Sequence, residues 1–139
     1  MLGSLVSGKK PLISVSPQTP VSAIAALLHQ HRIGAVLVLD GDSIAGLVSE
    51  RDICAGLHTH GGGILDASAA DIMSAPVITV TPTTTIVEAM TIMTDRRFRH
   101  LPVIESGRII GLVSIGDLVK ARIEHAEAET AAMKDYIAS

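Results

Sequence analysis

Residues 13–53 return as residues 78–118 at a constant displacement of 65 positions, so the two stretches align without a gap. Ile13-Ser-Val-Ser-Pro17 matches Ile78-Thr-Val-Thr-Pro82, and Gly46-Leu-Val-Ser49-x-x-Asp52 matches Gly111-Leu-Val-Ser114-x-x-Asp117. Of the 41 aligned pairs, 12 are identical. Self-similarity at a fixed period constrains a fold more than any local motif, because both copies must satisfy the same packing. Two copies in 139 residues predict a pseudo-twofold domain, with any site present twice or at the seam between the halves.

Each copy reads as β-α-β-β-α. A short β-like segment, Leu12–Val15 or Val77–Val80, is closed by Ser16-Pro17 or Thr81-Pro82. An amphipathic helix follows, because Val21, Ile24, Ala25 and Leu28, like Ile86, Ala89, Met90 and Met93, fall at i, i+3, i+4, i+7. Thr19-Pro20 reads as an N-cap with Pro in the first turn, and Thr85-x-x-Glu88 as a capping box. Ala35–Leu39 with Ile44–Val48, and Leu101–Ile104 with Ile109–Val113, are strand pairs joined by the polar, Gly-containing loops Asp40-Gly-Asp-Ser43 and Glu105-Ser-Gly-Arg108. Ser49 and Ser114 then open second helices. Neither half covers its own sheet, so the halves are expected to pack face to face.

Outside the copies, Gly61-Gly-Gly63 reads as a flexible break and Ala69–Met73 as a helical lead-in to the second copy, with Leu2–Val6 as its degenerate counterpart. Beyond residue 118, Val119, Ile123, Ala126, Thr130, Met133 and Ile137 step by 4, 3, 4, 3, 4, a lean heptad seam on a long charged C-terminal helix. The boundaries that follow are repeat 1 at 1–60, a linker at 61–68, repeat 2 at 69–122 and a C-terminal helix at 123–139.

Composition limits the function classes. Apolar residues make up 47%, nearly all aliphatic, which suits a packed core and not a disordered chain. A net charge of −3 offers no global basic field for nucleic acid or an anionic membrane. No apolar run approaches a membrane span. Met1–Lys10 places its charges after a short apolar stretch, the reverse of a signal peptide, and the single Cys54 makes no intrachain disulfide, so a cytoplasmic location is expected.

The doubled pattern, the runs Ile33-Gly-Ala-Val-Leu-Val38 and Arg97-Phe-Arg-His-Leu-Pro-Val103, and the two Gly-Leu-Val-Ser-x-x-Asp segments together resemble a tandem pair of cystathionine-β-synthase (CBS) domains, a Bateman module of the short stand-alone bacterial type. The resemblance covers nearly the whole chain. It implies an α/β (α+β) fold of two pseudo-twofold-related repeats packed sheet to sheet, with a C-terminal helix. It also implies a non-enzymatic regulatory module that binds AMP, ADP, ATP, NAD(H) or another adenosine-containing ligand in clefts between repeats, and so senses energy state. Such a chain is expected to form a homodimer, a four-repeat disk, acting on a downstream protein that its sequence does not name. A ligand-independent dimerisation module with vestigial clefts is the alternative.

The candidate ligand residues follow the repeat. Ser49 with Asp52, and Ser114 with Asp117, have a plain role as helix caps that complement the helix dipole. The resemblance adds that Asp52 and Asp117 accept the hydroxyls of a ribose diol, with Ser49 and Ser114 beside them at a helix N-terminus suited to an anion. Arg96 and Arg97 read as complements of a helix C-terminus. Arg99 and His100 lie beyond it, at positions where the resemblance implies phosphate contacts, for which an Arg fork is well shaped. The first copy has Gly34 and Ala35 there, which predicts two unequal sites. Ser14 and Thr79 are expected to line the base or ribose, and Leu101 and Pro102 to flank the base; ladder and core roles serve these residues equally well. The pairs His29-x-His31 and His58-x-His60 lack further ligands at metal-site spacing, so no metal is expected. Cys54 is read as a core residue.

Overall fold

The computed structural model describes residues 1–7 and 11–138. Lys9 and Lys10, which carry the charge argument against a signal peptide, lie outside the described residues. The chain forms a mixed helix and strand fold with two small sheets and a long C-terminal helix. It divides into two compact units: Leu12–Ile78, and Met1–Pro11 joined with Thr79–Ser139.

In the unit Leu12–Ile78, β1 (Ser14–Val15) runs parallel to β2 (Ala35–Asp40), which pairs antiparallel with β3 (Ser43–Ser49). Helix α2 (Val21–His31) buries Val21, Ile24 and Leu28, three members of the expected stripe. Ile24 and Leu28 cluster with Val36, Val38, Val48 and Ala69. Helix α3 (Glu50–His60) follows β3, then a 3-10 helix at Gly61–Asp66 and a single-turn helix α4 (Ala69–Ile72). Residues 35–38 of β2 are all buried, which is why they read as an unbroken apolar run and not as an alternation.

The second unit repeats the plan. Val80 forms a parallel bridge to Val103 in β4 (His100–Glu105), and β4 pairs antiparallel with β5 (Arg108–Ser114). Helix α5 (Ile86–Arg96) precedes them, α6 (Ile115–Ala138) follows, and α1 (Leu2–Ser7) packs on β5 and β4. Leu2, Val6, Ala89, Met93, Leu101, Val103, Val113 and Leu118 are buried.

Fine detail recurs at the 65-residue displacement. The register slips at Val38/Leu39 and again at Val103/Ile104. Each first helix ends on a left-handed arginine, Arg32 (φ 53°) and Arg97 (φ 58°). The hairpin loops have the same length but differ in backbone conformation. Gly41 (φ 63°) occupies the first loop position of one, whereas Ser106 (φ 52°) and Gly107 (φ 78°) both turn left-handed in the other.

Several expectations need correction. The N-cap of α2 is Pro20 and makes no side-chain cap bond. The Thr19 hydroxyl accepts instead from the backbone N–H of Ser16 at 3.1 Å, as Thr84 does from Thr81 at 3.1 Å. The local turn after each first strand therefore consumes that hydroxyl. Gly61-Gly-Gly63 is not a break but the start of the 3-10 helix, which is held down by buried Ile64. Gly56 of α3 leaves room for it, since a Cβ there would overlap Ile64 Cδ1. The β-like lead segments shrink to two residues in the first unit and to one bridge at Val80 in the second. Cys54 is exposed and not a core residue. The C-terminal helix begins at Ile115 and runs to Ala138.

The lead-in helices are exchanged. Ala69–Ile72 packs on β3 of the first unit, not on the second copy that it precedes, and Leu2–Ser7 packs on β5 of the second. Both dock against the glycine of a Gly-Leu-Val-Ser segment. A Cβ at Gly46 would lie 2.6 Å from Met73 Sδ, and one at Gly111 2.8 Å from Val6 Cγ1. The close approach of an incoming side chain thus accounts for a glycine at both positions.

Candidate ligand-binding site

Each unit ends its hairpin in a strand-to-helix turn built by a capping box. In the first unit, the Ser49 backbone N–H donates to Asp52 Oδ2 at 2.8 Å and the Ser49 hydroxyl donates to the same oxygen at 3.0 Å. The Asp52 N–H returns a bond to Ser49 Oγ at 3.3 Å. In the second, the Ser114 N–H donates to Asp117 Oδ2 at 2.8 Å and the Asp117 N–H to Ser114 Oγ at 3.1 Å. Asp117 also makes a further interaction. Two orphan donors of the first helical turn are satisfied this way, and a carboxylate is fixed at the positive end of the helix dipole. All four side chains are half-buried.

The strand preceding each hairpin delivers its first residues to the same turn. The Ile115 N–H donates to the Arg99 carbonyl at 2.8 Å, and His100 lies directly opposite Ser114 in the β4–β5 ladder. The equivalent bond in the first unit runs from Glu50 N–H to the Gly34 carbonyl at 3.0 Å, with Ala35 opposite Ser49. Arg99 is exposed and His100 half-buried. The second unit therefore brings the backbone of an arginine and a histidine up to the turn that carries Ser114 and Asp117. The first presents a hydroxyl and a carboxylate there, with no basic side chain at positions 34 and 35.

Ser14 pairs with Leu37 along β1 and is exposed. Thr79, its counterpart, is also exposed and precedes Val80, whose N–H donates to the Pro102 carbonyl at 3.0 Å and whose carbonyl accepts from Ile104 at 2.8 Å. Ser14 thus lies on the strand beside β2, and Thr79 immediately before the Val80 bridge to β4. Leu101 and Pro102 are fully buried, so their side chains belong to the core. Arg96 closes α5, and Arg97 is its left-handed C-cap.

Ser74 is a participant that sequence reasoning misses. Its hydroxyl donates to Asp52 Oδ1 at 2.8 Å across 22 residues of chain. Paired backbone bonds with Leu47, at 3.0 and 2.9 Å, hold it there. Asp52 consequently accepts three hydrogen bonds from its own chain. A serine two residues beyond α4 carries no sequence signal of the residue it will meet. Among the described residues, no group of three or more His, Cys, Asp or Glu side chains is placed to hold a metal ion. No helix among them is long and apolar enough to cross a membrane.

A fold of two such units, each with its own strand-to-helix turn, defines a tandem-repeat module, and comparison with known proteins agrees. The family model for the CBS domain matches twice, at residues 6–59 and 69–124. The chain belongs to the CBS-domain family. The crystal structure of the CBS-domain containing protein ATU1752 from Agrobacterium tumefaciens superposes with a TM-score of 0.83 at 37% identity, covering 87% of this chain and 98% of that one. The CBS domain protein PAE2072 from Pyrobaculum aerophilum, solved in complex with AMP, has a TM-score of 0.72 at 27% identity, over 83% of this chain and 87% of that one. The mitochondrial CBS domain-containing protein CBSX3 of Arabidopsis thaliana is 38% identical over 115 residues, which are 79% of this chain and 56% of that protein. This chain thus spans little more than half the length of that relative.

Proposed function

We propose that this chain is a regulatory module, not an enzyme, that binds an adenosine-containing ligand (AMP, ADP, ATP or NAD(H)) principally at the turn formed by Arg99, His100, Ser114 and Asp117. The observation that carries this reading is the backbone placement of Arg99 and His100 beside the first turn of α6: Ile115 N–H bonds the Arg99 carbonyl at 2.8 Å, and His100 lies opposite Ser114 in the ladder. Asp117 accepts ribose hydroxyls, Arg99 and His100 meet phosphate, and Thr79 lies alongside the ribose or base. The AMP complex of PAE2072 supports the ligand class. The equivalent turn of the first unit is the weaker site, because Gly34 and Ala35 stand there in place of the basic pair. The chain works as a cytoplasmic homodimer. It signals by differential affinity, since a ligand shifts a conformational or assembly equilibrium only as far as it binds one state better.

A panel of AMP, ADP, ATP, NAD(H) and adenosine in thermal-shift and calorimetric titrations tests this reading, because a ligand that binds only the folded state raises its stability. Stabilisation by none of them would favour the ligand-independent dimerisation module instead. Arg99→Ala should weaken AMP by about 1 kcal/mol, the scale of an exposed ion pair, and leave adenosine unchanged. An equal loss for both ligands would assign Arg99 to structure. Ser74→Ala should cost about 1 kcal/mol of stability through the lost bond to Asp52 and leave the tighter nucleotide site as it was. A denaturant titration beside the calorimetry reads both.

A further inference from the structure

Helix α6 is held to its unit only at its beginning. Leu118 is its one buried residue, and from Arg122 onward every described side chain is exposed. The stretch from Val119 to Ala138 is about 30 Å of helix at the usual rise per residue. Most helical stability in proteins comes from packing an apolar face, so an apolar seam along this stretch calls for a partner along its side. The apolar seam identified in the sequence faces solvent: Val119 is 40% exposed, Ile123 53%, Met133 62% and Ile137 76%.

The spacing of the seam fixes its heptad frame. Ile123, Thr130 and Ile137 take the a positions, and Val119, Ala126 and Met133 the d positions. β-Branched residues at every a position favour two strands. Flanking the seam, Lys120, Glu127 and Lys134 occupy e, and Arg122, Glu129 and Tyr136 occupy g. We propose that α6 pairs in parallel and in register with α6 of a second copy of this chain.

Charge chooses both the occupant and the direction. In a parallel pair each g residue faces the e residue five positions on in the other strand. Arg122 then meets Glu127 of the second copy, and Glu129 meets Lys134, and the twofold axis repeats both pairs. The antiparallel register that keeps the same apolar layers sets Lys120 against Lys134, Glu127 against Glu127 and Glu129 against Glu129. The helix is thus complementary to itself in one direction and self-repelling in the other. Glu129 also meets His125 of its own helix at 3.1 Å, a contact that leaves the carboxylate able to face Lys134 of the other strand.

The inference rests on the homodimer reading above in one respect. Ala126 and Thr130 leave the middle layers lean, so the seam pairs at micromolar concentration because the rest of the dimer raises the effective concentration of one helix near the other. The test uses the full chain with Cys54→Ser to remove the native thiol. Met133→Cys in that background should cross-link to a covalent dimer under oxidised glutathione, because position 133 faces itself only in the parallel register. Arg122→Glu should raise the dimer dissociation constant about five- to tenfold in low salt, and Arg122→Glu with Glu127→Arg should restore it. Circular dichroism checks that these surface variants remain folded. A dimer that does not cross-link at 133, that cross-links only between Ile123→Cys and Met133→Cys chains, or that ignores Arg122→Glu overturns this inference and leaves the homodimer standing. A chain that stays monomeric at all concentrations in light scattering overturns both.

Discussion

Replacing Asp117 by alanine is expected to weaken adenine-nucleotide binding by about 1.5–3 kcal/mol, or roughly ten- to 150-fold, the worth of hydrogen bonds to a charged acceptor. Asp117 is half-buried at the first turn of α6, fixed by the Ser114 N–H at 2.8 Å. That bond occupies Oδ2, so the carboxylate is oriented before any ligand arrives and little ordering remains to be paid on binding. Folding should suffer less than binding, because the capping box loses one of its two arms while Ser114 can still cap the helix. Asp117→Asn sharpens the test. It keeps an acceptor oxygen for the Ser114 N–H but removes the charge, so it should retain most of the stability and lose most of the affinity. Calorimetric titration of AMP against both variants, with urea midpoints in parallel, separates the two roles. If Asp117→Ala binds every nucleotide as the parent does, capping is the whole function of this carboxylate.

What could be read from the residues alone divides by the range of the interaction. The capping boxes were legible because Ser-x-x-Asp brings its partners together within one helical turn, and nothing distant can reassign them. The hairpins were legible too, since a two-residue loop between Asp40 and Ser43 or Glu105 and Arg108 sets its own register. The same applies to the stripes of α2 and α5. Ser74 was out of reach, because its bond to Asp52 exists only once Leu47 has captured it by two backbone bonds. The exchange of lead-in helices was hidden for a related reason. Order along the chain favours a helix joining the copy next to it, whereas Val6 and Met73 go where Gly111 and Gly46 leave space. Gly61-Gly-Gly63 shows how packing overrides composition: glycines suggest a break, but burying Ile64 under α3 orders the segment.

The other large effect is expected at Leu118. It is completely buried, whereas its neighbour Val119 is 40% exposed, so the first turn of α6 is anchored to its unit through one large side chain. Leu118→Ala should cost about 2–5 kcal/mol, the transfer free energy of the lost methyl groups plus the cavity they leave. In a unit of this size that corresponds to a fall of about 8–40 °C in the melting temperature. Leu118→Met, which conserves volume, should cost less than about 1.5 kcal/mol. Leu118 belongs to the unit that contains Thr79–Ser139, so the loss should appear where that unit melts. Ile123→Ala, one turn further along and 53% exposed, supplies the control. Measured at a concentration too low for self-association, it should leave the melting temperature nearly unchanged. A loss there as large as that of Leu118→Ala would mean that the seam packs against its own chain in solution. The apolar residues from Ile123 to Ile137 would then have no need of a second copy, and α6 would serve to brace the turn that carries Asp117.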